Sequence, residues 1–133
     1  MNPATVAAEL RAALRTISLR TPPWGTEQIQ APAAIVAAPD VISYVESYGQ
    51  GLIVMPRQEI VCLFGGDERS RYERASAYAA TSGTNSVPAL LNTYLWTSCD
   101  SVTPTECEYA PDATYAGVPY LALVFTCRIV GGP

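Results

Sequence analysis

The chain contains no lysine and no histidine, and its eight basic residues are all arginine. Without histidine the commonest general acid–base side chain is missing, and so are the imidazole ligands of many zinc sites. The four cysteines, Cys62, Cys99, Cys107 and Cys127, include no C-x-x-C pair, so their spacing does not indicate a metal or redox motif. Lack of lysine beside abundant alanine fits genomic base composition as well as avoidance of flexible surface cations.

Charge is also scarce. Charged residues make up 15% of the chain, where about 25% is usual for a soluble domain. That shortage points to a surface partly covered by something else, most simply by copies of the chain in a symmetric assembly. Twelve acidic residues against eight basic give a net charge of −4, which argues against the basic patch of a tight DNA binder. No run approaches the ~20 apolar residues of a membrane-spanning helix. The N-terminus has neither the basic start nor the apolar core of a signal peptide, so the chain is expected to be made and kept in a cytoplasm. There is no G-x-S-x-G, no Walker loop and no G-x-G-x-x-G; Gly49-x-Gly51 is a fragment of the kind found in hairpins. No cofactor or metal is expected, and nothing in the sequence asks for an enzyme.

What is present is a chain of 133 residues, suited to one domain that buries roughly two-thirds of its unfolded surface and needs no disulfide or metal to fold. Its most ordered pattern lies near the end, in Pro119–Val130. With a period of two, one face carries Leu121, Leu123, Phe125, Cys127 and Ile129. The other mixes Tyr120, Ala122, Val124, Thr126, Arg128 and Val130. This predicts a half-buried principal strand, with Pro119 at its first position and Gly131-Gly132-Pro133 ending it.

Upstream, Asn2-Pro3 reads as a cap and first helical residue. Val6, Leu10, Ala13, Leu14 and Ile17 continue at helical spacing, which predicts a helix over about 3–17. Thr21-Pro22-Pro23-Trp24 breaks the chain. Trp24 either caps the core edge or anchors an interface, where tryptophan is enriched. Ala33–Ala38 predicts a short buried strand. Val41–Tyr48, closed by Gly49-Gln50-Gly51, predicts an aromatic loop or bent strand end that presents Tyr44 and Tyr48. Leu52–Met55 and Gln58–Phe64 flank Pro56, and the second is the stronger strand. Asp67 caps a helix running to about residue 82, with Tyr72, Ala75 and Ala79 along one face. Its mixed charges, Glu68 to Arg74, fit a solvated first turn or an arginine patch.

Ser86 caps a further helix that ends near Trp96, with Ala89, Leu90, Tyr94 and Leu91 on its packed side. Asp100–Tyr109 alternates loosely and carries proline and charge, so it reads as an edge strand. Here Val102, Pro104, Glu106 and Glu108 share one side, and the two glutamates fit a solvated edge or a carboxylate pair. Ala110–Val118 reads as a turn-rich loop holding Tyr115. The cysteines read as reduced core thiols, with one disulfide between neighbouring strands as the alternative. The order α-β-β-α-α-β-β predicts an α+β domain: one mostly antiparallel sheet of about four strands with helices on one face.

This layout resembles the tail terminator proteins of long-tailed bacteriophages, especially those of actinobacterial hosts. The features that carry the resemblance are the N-terminal helix Ala4–Ile17, Pro32-Ala-Ala-Ile-Val36 followed by Pro39 and Tyr44, the strand Ile60–Phe64, the helix from Asp67, the helix start Gly83-x-x-Ser86-Val87, and the closing strand from Tyr120 to Cys127. The long 98–118 segment, with two prolines and two cysteines, departs from the pattern. The resemblance implies a virion protein that forms a homo-hexameric ring. Such a ring caps the tail tube, ends tail polymerisation and joins the tail to a head-side connector or stopper. DNA passes through its channel without specific binding, and no membrane is involved. Trp24, Tyr44, Tyr48 and Tyr115 are the interface candidates. The alternatives are a head-side stopper or adaptor, for which a more β-rich chain is expected than the third of helix expected for a terminator, and, from another class, a small acidic enzyme or ligand-binding module.

Overall fold

In the computed structural model, residues 1–22, 30–44 and 51–132 are described. They form α1 (Pro3–Arg15), β1 (Ala33–Val36), β2 (Ile53–Phe64), α2 (Glu68–Ala79), α3 (Val87–Thr93), β3 (Ser101–Tyr115) and β4 (Val118–Gly131). Each helix begins where a capping side chain meets otherwise unpaired backbone N–H groups. Asn2 accepts from Ala4 and Thr5, Asp67 from Ser70, and Ser86 from Ala89.

The four strands make one sheet in the order β1-β2-β4-β3, and every neighbouring pair is antiparallel. β4 is the strand expected to dominate, and it has partners on both sides. Phe125 lies between Ile60 of β2 and Cys107 of β3, and Leu123 between Cys62 and Tyr109. Leu121, Leu123, Phe125, Cys127 and Ile129 are all buried. They join Val6, Leu10 and Leu14 of α1, Ala75 and Tyr78 of α2, and Val87 and Leu91 of α3 in one core. All three helices therefore cover one face of the sheet, giving an α+β domain. The other face holds a smaller apolar cluster of Ile35, Leu63, Tyr120 and Ala122.

Several local expectations are corrected. Pro56 does not divide two strands; β2 runs through it, and the register shifts between Met55 and Gln58. A shift of this kind lets the strand omit the hydrogen bond proline cannot donate. Residues 110–115 are not loop, because β3 continues to Tyr115. A second shift between Ala110 and Ala113 takes up one extra residue, with Pro111 and Asp112 together facing Leu121. The hairpin closes on Ala116 and Gly117, both with positive φ (52° and 82°), the backbone that a tight two-residue hairpin turn demands.

The alternation expected along β3 also fails. A shift between Pro104 and Glu106 leaves Val102 and Pro104 opposite Ile129 and Cys127. Glu106 and Glu108 instead lie opposite Thr126 and Val124, on the other face. α2 ends earlier than expected, and its buried residues are Ala75 and Tyr78, while Tyr72 is exposed. α3 stops at Thr93 and buries Val87 and Leu91, with Leu90 packed against the core; Leu90 and Leu91 are on the expected side, while Ala89 and Tyr94 are only half-buried and Val87 was not expected there. Among the described residues the helices hold 13, 12 and 7, about a quarter of them, whereas the strands hold 4, 12, 15 and 14.

Candidate interaction surface

Among the described residues, no group of three or more histidine, cysteine or acidic side chains is arranged to hold a metal. Among the described carboxylates the one with a clearly altered pKa is Glu9, and it has a structural setting. From α1 it reaches the 97–98 loop. Its Oε1 accepts from the Ser98 backbone N–H at 2.9 Å and the Ser98 hydroxyl at 2.5 Å, and its Oε2 from the Thr97 backbone N–H at 3.0 Å and the Thr97 hydroxyl at 2.9 Å. Burial alone raises its pKa, but these donors outweigh that and hold it at about 2, since hydrogen bonds to the charged form favour it. Glu9 thus clamps α1 to the approach of β3.

The cysteines are free thiols, with Cys62, Cys99 and Cys127 buried and Cys107 half-buried. Burial raises all four pKa values, to about 11 for Cys99 and Cys107, to about 12 for Cys127, and further for Cys62. Thiols so shifted stay protonated near neutral pH and make poor nucleophiles.

Of the four aromatic residues singled out from the sequence, Trp24 and Tyr48 lie outside the described residues. Tyr44 is 67% exposed. It follows Ser43, whose backbone bridges Val54 of β2, so it stands at the β1–β2 side of the sheet. Tyr115 is not in a loop. It closes β3 and packs, half-buried, against the second apolar cluster.

A surface not anticipated from the sequence lies at the opposite side. Tyr72 of α2 and Tyr109 of β3 are 58% and 40% exposed. Their rings meet at 5.9 Å with a 40° tilt, and the Tyr109 hydroxyl is 3.2 Å from Ser76 Oγ. A cavity of about 450 Å³ adjoins the pair, lined by Glu68, Arg69, Arg71, Tyr72, Pro111 and Leu121, and Arg71 Nη2 donates to the Pro111 carbonyl across it. Tyr72 shares a helix face by spacing with Ala75 and Ala79, but it is exposed where Ala75 is buried. The aromatic side chain of α2 that enters the core is Tyr78, whose ring lies 5.2 Å from that of Phe64 at a 50° tilt. Leu95, 89% exposed, projects between Tyr94 and Trp96, whose rings pack at 4.6 Å.

The sheet face away from the helices carries carboxylates. Glu59 and Glu106 flank Thr126 in register, and Glu108 lies two residues further along β3. All three are exposed. Glu106 and Glu108 do share a face, as expected, and that face also takes in Glu59. No family model matches the chain, and neither does any curated protein sequence.

Proposed function

We propose that the chain is a structural virion protein of a long-tailed bacteriophage: a tail terminator that assembles as a six-membered ring on the end of the tail tube. The ring stops further polymerisation of the tube and joins the tail to a head-side connector or stopper protein, and DNA passes through its centre. The protein acts by contact and not by catalysis.

The observation that carries this reading is the placement of exposed aromatic side chains at both sides of the sheet. Tyr44 stands beside β1 and β2, and the Tyr72–Tyr109 pair stands on the β3 side. Two unlike patches on opposite sides suit a head-to-tail contact that repeats from copy to copy, and such contacts generate rings. Tyrosine is favoured at the centres of such interfaces. A charge content of 15% agrees with a surface that is largely covered. The resemblance adds the tail setting, since the elements it rests on are present in the expected order. The acidic balance suits a channel through which DNA slides, because like charge disfavours adhesion to phosphates.

The strand content, which exceeds the helix content, keeps a head-side stopper or adaptor as the second reading. Electron microscopy of particles carrying a tagged copy of the chain separates the two. The proposal expects the tag in a single ring at the head-proximal end of the tail tube. A tag on tailless heads would instead identify a stopper or adaptor, and absence of the tag from particles would contradict both.

A further inference from the structure

Two cavities, of about 570 and about 170 Å³, adjoin at the β1 side of the molecule and share Pro32 and Tyr78. Leu19, Pro32 and Tyr78 floor the resulting groove, and Arg15, Arg20 and Arg74 rim it. The position follows from the chain path. Arg20 runs parallel to the start of β1 through Ala33, and Arg74 reaches from α2 to the Gly65 carbonyl at the end of β2.

Each of the three guanidinium groups is held by neutral oxygens. Arg15 donates to Thr21 Oγ1 at 2.9 Å, and Arg20 to the carbonyls of Ala31 at 3.2 Å and Gln30 at 3.4 Å. The ion pairs among the described residues are Arg57–Asp40 and Arg69–Glu73, so no described carboxylate neutralises the rim. An arginine side chain has five N–H donors, more than these contacts use, and no described carboxylate pairs with any of the three.

The same molecule carries the complementary surface elsewhere. Glu59, Glu106 and Glu108 form a carboxylate strip on the helix-free face, and none of them joins either of those ion pairs. Across β4, Glu59 and Glu106 are two strand spacings apart, roughly 10 Å, and Glu106 and Glu108 are roughly 7 Å apart. Arg128 shares this face beyond Thr126 and has a partner of its own. The groove lies at the β1 side and two of the three carboxylates lie on β3, the opposite edge strand. One copy cannot bring its own two surfaces together.

We infer that the groove rimmed by Arg15, Arg20 and Arg74 receives the Glu59–Glu106–Glu108 strip of the next copy of this chain. The inference rests on the ring proposed above and names the contact that would set its direction. Copies that each carry −4 repel on average. A contact that places the minority positive surface on the negative one selects a single mutual orientation, which is the usual role of interfacial charge. Because the two surfaces differ, the contact is head to tail and leaves each copy free to repeat it.

Charge reversal in the full chain tests this by sedimentation at low salt. Arg20→Glu and Glu106→Arg should each weaken self-association by about ten-fold or more, and the two together should restore most of it. Because Arg20 also holds the turn before β1, Arg15→Glu and Glu108→Arg serve as a second pair, and unchanged melting temperatures certify the fold. An oligomer unaffected by either reversal would overturn this contact while leaving the ring intact. Loss of association in both singles without rescue in the doubles would overturn the pairing of these two surfaces. A wild-type chain that stays monomeric at every concentration would also overturn it, and the ring would then rest on the localisation of the chain in particles.

Discussion

Ser98 binds Glu9 through both its backbone N–H and its hydroxyl, across 89 residues of sequence. This contact joins the first helix to the loop that feeds β3, and its strength depends on pH. In the folded chain the Glu9 carboxyl titrates at about 2, below its ordinary 4.5. A depressed folded pKa contributes stability above the unfolded value and loses it as pH falls through the folded one. Glu9→Gln should therefore lower stability at pH 7, on the order of 1 kcal/mol for charge-assisted bonds that are partly exposed. The difference from wild type should shrink from about pH 4.5 downward and vanish near pH 2. Denaturant melts at a series of pH values check this, and a gap that stays constant down to pH 2 would contradict it.

The register of β4 makes a sharper claim. Phe125 is 1% exposed and packs toward the helices, while its neighbour Thr126 faces the carboxylate strip. Phe125→Ala should cost ~3–5 kcal/mol and lower the melting temperature strongly. Thr126→Ala should change it little. Equal losses from the two would show the strand to be turned over.

The thiols should be silent in the native protein. With Cys62, Cys99 and Cys127 buried and all four pKa values raised, a thiol reagent at neutral pH should label the chain only after denaturant is added. Half-buried Cys107 should then be the first to react as denaturant rises. Rapid labelling of the native fold, or a non-reduced mass lighter by two hydrogens, would contradict this.

Much of the fold was legible because its signals are local. Asn2-Pro3, Asp67 and Ser86 announce helix starts through capping chemistry, and each does cap. The two-residue period of Leu121 to Ile129 fixes which face of β4 packs against the helices. What stayed hidden depends on the neighbouring strand. Pro111 and Asp112 look like loop residues on their own. They are held in β3 because β4 is long enough to pair around them, with two register shifts. The first of those shifts moves Glu106 and Glu108 to the face away from Val102, which strict alternation cannot foresee.

The interaction surface was less legible for a related reason. Tyr44 is exposed as expected, but Tyr115 has the small apolar cluster beneath it. Tyr72 and Tyr109 sit 37 positions apart and meet only because α2 packs over β4, the strand next to β3. Nothing in the spacing of either residue marks the pair.

The most direct test of the terminator reading is the length of tails assembled without this chain. Electron micrographs of lysates from a phage lacking its gene should show tails of uncontrolled length and heads without tails. Supplying the wild-type chain should restore a single tail length, whereas a chain with Tyr44→Asp and Tyr72→Asp should fold but fail to restore it. Tails of one normal length in the absence of the chain would contradict the account.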